Sequence, residues 1–147
     1  MKMFKSIASA GLLAAVLGVG MALGSQERNA EAAAANGARI YELRTYTTNE
    51  GKLDDLHARF ADHTNTIFVR HNMTLIGYWT PSEGDKKDNT LVYIIGHESR
   101  EAAKANWRAF SADAGWKKAY ADSKKDGALV SKVESVFLDP TDYSPLR

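Results

Sequence analysis

From Arg39 to Thr47 apolar and polar side chains alternate, which is the two-residue period of a strand. One face carries Tyr41, Leu43 and Thr45, and the other Ile40, Glu42, Arg44 and Tyr46. Asn49-Glu50-Gly51 is a turn, and the period then lengthens. Leu53, Leu56, His57, Phe60, Thr64, Ile67, Phe68 and His71 recur at steps of three and four, predicting an amphipathic helix from Lys52 to His71 that Asn72 closes. Asp54, Asp55, Arg59, Asp62 and Arg70 mostly take its opposite side. A second strand is predicted over Met73–Thr80, with Leu75, Gly77 and Trp79 on one face and Thr74, Ile76 and Tyr78 on the other. The polar loop 81–89 leads into Thr90–His97, a nearly continuous apolar run that reads as a central strand.

Ser99 is a good N-cap for a helix whose stripe is Ala102, Ala103, Asn106, Trp107 and Phe110. The pattern breaks near Asp113–Gly115, and a second helical piece follows to Lys125, with Trp116 and Tyr120 on one side. Gly127 stops it, and Leu129–Leu138 is a fourth strand before an extended tail. The order strand, helix, strand, strand, helix, strand predicts a ferredoxin-like α+β domain. Right-handed crossovers place both helices on one face of a four-stranded antiparallel sheet. The other face is left bare, and a second copy is the simplest cover for it, giving a dimeric α+β barrel.

Composition adds a compartment and several exclusions. The chain has 147 residues, enough for one domain, and a formal net charge of +1. That balance argues against a nucleic-acid partner. The absence of cysteine excludes disulfides, thiolate chemistry and a lipid-modified cysteine anchor. Lys2 and Lys5 precede an uncharged run from Ile7 to Leu23, and Ala22-Leu23-Gly24 is a small-x-small site. Residues 1–24 therefore read as a signal peptide for export to the periplasm or the exterior, with a membrane anchor as the alternative if it stays uncleaved. Residues 25–37, rich in alanine, read as a disordered tether, and residues 38–147 as the folded domain with its tail.

Ile40-Tyr41-Glu42-Leu43-Arg44-Thr45-Tyr46, Gly51-Lys52-Leu53, Gly77-Tyr78-Trp79-Thr80, the run Val92–Ala103 with Trp107, the Trp116 and Tyr120 pair and Val133–Leu138 resemble the NIPSNAP domain. The resemblance runs from about Ala38 to Tyr143. It implies the dimeric α+β barrel superfamily, which agrees with the predicted order, and no agreed catalytic set. The predicted signal peptide departs from the mitochondrial targeting of animal members. Haem-degrading and cofactor-free monooxygenases share the superfamily as fold analogues only.

Candidate chemistry is sparse. His57 and His71 share a helix face but stand roughly 21 Å apart at 1.5 Å per residue, so one helix does not supply a metal pair, and no metal site or cofactor is expected. Each histidine could act as a proton-transfer base, and either could serve as a single axial haem ligand. Tyr46 and Tyr93 are candidate proton donors. Glu42 and Arg44 share a strand face, where charges are costly unless paired. They read either as an ion pair lining the dimer interior, with Lys132 or Glu134 nearby, or as a polar floor for an anionic ligand. Trp79 and Trp107 read as core or as a flat wall for a planar ligand. Three functions stay open: an exported homodimer binding a small apolar or aromatic ligand or a protein partner; a cofactor-independent monooxygenase or isomerase; and a haem-binding protein.

Overall fold

The computed structural model describes residues 40–146; the predicted leader and tether, and positions 38, 39 and 147 of the predicted domain, lie outside them. Strand β1 (Ile40–Thr48) is followed by helix α1 (Leu53–Arg59), one π-helical turn (Phe60–Thr64) and helix α2 (Asn65–Arg70). Strands β2 (Thr74–Trp79) and β3 (Thr90–His97) come next, then helices α3 (Arg100–Ala112) and α4 (Ala114–Asp122) and strand β4 (Val130–Leu138). The sheet order is β2-β3-β1-β4, and every pairing is antiparallel. This is the ferredoxin-like arrangement that the element order predicts.

Local chemistry sets the boundaries. The Ser99 side chain accepts from the Ala102 amide at 3.0 Å and starts α3. Asp113 Oδ1 accepts from the Trp116 amide at 3.0 Å and starts α4, so one capping residue both ends the first helical piece and begins the second. Asn72, at φ 58°, takes the left-handed conformation that closes α2.

Two elements depart from the simple periods. The predicted single helix over 52–71 contains a wide turn, where the Asn65 amide reaches back to the Phe60 carbonyl. Phe60, Thr64 and Phe68 are spaced by fours, and two such steps drift by about 80° in a regular α-helix. The wide turn absorbs that drift and keeps all three buried. Arg59 was expected on the solvent side, yet it is only 5% exposed and faces α4. Strand β2 carries a bulge between Leu75 and Gly77, so Leu75 opposes Ile95 and Tyr78 opposes Tyr93. The bulge overturns the expected alternation: Leu75 and Tyr78 pack on the core, while Trp79 opposes Val92 on the other face.

The core lies between the helices and one sheet face. Leu56, Phe60, Ile67, Phe68 and Phe110 from the helices meet Met73, Leu91, Tyr93 and Ile95. Glu42, Arg44 and Tyr46 point to this covered side, where Trp107 and Phe60 meet them. The opposite face carries Leu43, Val92 and Ile94 partly exposed, with Trp79 (52%), Val136 (54%) and Leu138 (38%) open to solvent.

Candidate functional site

Two polar arrangements lie between the helices and the sheet. The first is built on Glu42 in the centre of β1. Its side chain is 2% exposed and is surrounded by donors from four elements. Arg44 Nη1 donates to Oε1 at 2.5 Å and Ser135 Oγ donates to it at 2.6 Å. Trp107 Nε1 donates to Oε2 at 2.6 Å, and His97 Nε2 lies 3.2 Å from the same oxygen. An ionised carboxylate only accepts, so the His97 tautomer that fits carries its proton on Nε2. Burial alone would push the Glu42 pKa up; the hydrogen bonds from His97, Ser135 and Trp107 and the Arg44 charge outweigh it and bring the pKa down to about 2. The Arg44 guanidinium lies over the Trp107 ring at 4.3 Å, and its Nη2 reaches the Tyr46 hydroxyl at 3.5 Å.

This cluster is saturated. Glu42 has a donor on each lone-pair side, so it has nothing left for a ligand. Of the two readings of Glu42 and Arg44, the ion pair is present, but it lies beneath α3 on the helix-covered face rather than in a dimer interior, because the pleat points even-numbered β1 residues there. Lys132 and Glu134, its suggested neighbours, pair with each other at 2.9 Å.

The second arrangement is a cavity of about 210 Å³ opening at the β4 edge, between α1, α4 and the sheet. Tyr46, Trp116, Tyr120, Leu129, Val130 and Val133 supply most of its apolar wall, and Arg59, Lys124 and Lys132 its cations. The Arg59 guanidinium lies 5.3 Å from the Trp116 ring and 5.5 Å from the Tyr120 ring, and Nη1 donates to Ser123 Oγ at 3.2 Å. Among the described residues, the buried Arg59 Nε has no hydrogen-bond partner and no carboxylate lies within ion-pair distance of this side chain. Burial pushes the Arg59 pKa down; the Tyr46, Tyr120 and Tyr93 hydroxyls oppose the shift.

The remaining candidates scatter. His71 Nε2 sits 2.8 Å from Asp113 Oδ2, and Arg70 Nη2 is 2.8 Å from the same atom, so this histidine clamps the end of α2 to the start of α4. His57 is half-buried on α1 and lines neither this cavity nor the acidic cleft beyond Arg59. Tyr93 is fully buried in the core; its hydroxyl has no partner of good geometry, and desolvation pushes its pKa up. Trp79 lies on the open sheet face, with its ring across Gly77. Of the eight named candidates, Glu42, Arg44, Tyr46 and Trp107 come together, and Tyr46 alone reaches the cavity. Sequence reasoning missed Arg59, His97 and Ser135. Ser135 opposes Arg44 across the β1–β4 ladder, and that register was the signal that could have found it. Among the described residues, no group of three or more histidine, aspartate or glutamate side chains is placed to hold a metal.

The fold and the site define a ferredoxin-like α+β protein with a helix–sheet cavity and a buried glutamate cluster. Residues 41–145 match the NIPSNAP family model, and the chain belongs to that family. Solved structures agree. A NIPSNAP family protein of unknown function from Agrobacterium tumefaciens is 25% identical and superposes with a TM-score of 0.64 over 74% of this chain and 93% of its own. A second NIPSNAP family protein from that organism is 24% identical, with a TM-score of 0.64 over 74% and 90% of the two chains. An uncharacterised NIPSNAP domain protein from Burkholderia xenovorans is 24% identical, with a TM-score of 0.62 over 72% and 98%. None of the curated proteins matches the chain.

Proposed function

We propose that this NIPSNAP-domain protein is an exported homodimer that binds a small aromatic ligand in the cavity at the β4 edge. The cavity lining carries the reading. Tyr46, Trp116 and Tyr120 surround a space of about 210 Å³, and none of the four histidines lines it. Ligand pockets pair an apolar wall with a few polar groups, and the described lining of this one does so without a histidine or a carboxylate. That supports binding over the monooxygenase or isomerase reading, whose bases were His57 and His71. The same two histidines were the axial haem candidates; one is tied to Asp113 and the other lies away from the cavity.

Export rests on the basic start, uncharged run and small-x-small site of residues 1–24. Dimerisation rests on the open sheet face, where Trp79, Val136 and Leu138 expose apolar surface that a second copy would dry.

The test is a thermal-shift screen of single-ring aromatic compounds against the full-length protein, repeated on Tyr120→Ala and His57→Ala. Binding at the cavity predicts shifts that Tyr120→Ala weakens and His57→Ala leaves in place. No shift with any compound, or shifts abolished by His57→Ala alone, would reject this site.

A further inference from the structure

Arg59 is a buried cation with no anion paired to it among the described residues. An isolated charge in the interior is costly unless a partner compensates it. Its guanidinium has five donors and, among the described residues, makes one hydrogen bond, to Ser123. The ring faces of Trp116 and Tyr120 offset part of the cost but supply no acceptor at Nε, which is buried and unpartnered. Arg44, the other arginine on the sheet side, is already neutralised by Glu42.

Arg59 is also the wall between two spaces of opposite character. On its far side lies a cleft whose lining includes Asp55, Asp62, Asp122 and Asp126; lysines pair with Asp55 and Asp122, and the cleft offers an anion two carboxylates, Asp62 and Asp126, without an ion pair among the described residues. On the near side is the aromatic cavity, lined in part by Lys124 and Lys132 and by no carboxylate among the described residues. Lys132 is paired with Glu134, whereas the Lys124 ammonium lies over the Tyr120 ring at 4.7 Å and has no ion pair among the described residues. Size narrows the occupant further. Pockets for drug-sized ligands run from about 300 to 1,000 Å³; at about 210 Å³ this one suits a single ring with one substituent.

The geometry points to an aromatic carboxylate as the ligand class, its ring against Tyr46, Val130 and Val133 and its carboxylate on Arg59, with Lys124 at the mouth. This rests on the cavity being the binding site, as argued above, and adds the charge of the occupant. Arginine suits the task because its planar fork matches a carboxylate.

Calorimetric titration of the full-length protein with benzoate and with benzamide, its neutral counterpart of similar shape, tests the charge. Benzoate should bind about tenfold more tightly or better, the worth of one charge-assisted hydrogen bond. Arg59→Gln should erase that preference while leaving benzamide binding. Lys124→Gln, an exposed change that spares the fold, should weaken benzoate about two- to threefold by screened attraction and leave benzamide unchanged. Equal affinity of the two probes in the wild type, or a preference that survives both substitutions, overturns the anion assignment and leaves an uncharged aromatic pocket standing. Failure of both probes, together with the wider aromatic screen, overturns the cavity as a binding site and this inference with it.

Discussion

The indole of Trp107 reaches down from α3 and donates to Glu42 Oε2 at 2.6 Å, joining the second helix pair to the central strand across 65 residues of sequence. The same ring lies over the Arg44 guanidinium, so one side chain meets both members of the ion pair. Glu42→Gln tests what that junction is worth. The amide keeps the shape but brings an NH2 into a site populated by donors, and it leaves the partly buried Arg44 without its counter-ion. Removing one partner of a buried pair costs several kcal/mol. The expected loss is about 3 kcal/mol, read from urea unfolding; a loss under about 1 kcal/mol would mean that Glu42 is not the junction.

The cluster also predicts an acid-side stability profile. Glu42 titrates near 4.5 when unperturbed and near 2 in the fold. Its folded pKa is depressed, so the unfolded chain binds the proton first as pH falls. The stabilisation is therefore fully present above about pH 4.5 and is lost between there and about pH 2. The difference corresponds to about 3 kcal/mol at neutral pH. Unfolding midpoints measured from pH 6 to pH 2 should fall across that window in the wild type and fall less steeply in Glu42→Gln. Parallel curves would contradict the assignment.

His71 is predicted to hold structure rather than ligand. Its bond to Asp113 joins the end of α2 to the cap of α4. His71→Ala should lower the melting temperature while leaving cavity ligand affinity unchanged, and Asp113→Ala should lower it further, because the helix cap is lost as well. An affinity change in His71→Ala at intact fold would return this histidine to the list of pocket groups.

The wide turn in the first helix makes a separate prediction. Thr64 Oγ1 donates to the Arg59 carbonyl at 3.1 Å in a buried setting, where the ladder is irregular. Thr64→Val removes the donor and keeps the branched shape. It should cost about 1 to 2 kcal/mol, the usual range for a lost buried hydrogen bond. Because Arg59 is anchored by that turn, benzoate binding should weaken as well. A variant as stable as the wild type would show that the turn needs no side-chain support.

The element order and the covered face were legible because β1, β3 and the helices keep their periods over whole elements. Residues such as Glu42 and Arg44 could be assigned to one strand face on the pleat alone. The bulge at Leu75–Gly77 was not legible, since Leu75, Ile76 and Tyr78 are all large and apolar and fit either phase. Arg59 stayed hidden for another reason. A charged helix residue defaults to solvent, and what draws it inward, Trp116, Tyr120 and Ser123, lies on α4 or just beyond it, with Ser123 64 residues away. The break near Asp113 could be read from the sequence; its bond to His71 could not, because that contact exists only after the two helix pairs dock.

The open sheet face yields the last prediction. Val136 stands opposite Leu43 in the β1–β4 ladder and is 54% exposed, with Leu138 beyond it on the same strand face. A charge there costs the isolated protomer little, because the site is already wet. Within a face-to-face dimer the same charge would be buried and unpaired, at a cost of several kcal/mol, repeated on each copy by the two-fold symmetry of such a contact. Val136→Asp should therefore convert a species of twice the chain mass into monomers at micromolar concentration, with an unchanged far-ultraviolet circular dichroism spectrum. Light scattering on both proteins decides it. A wild type that is already monomeric would overturn the dimer, and a variant that stays dimeric would place the contact elsewhere.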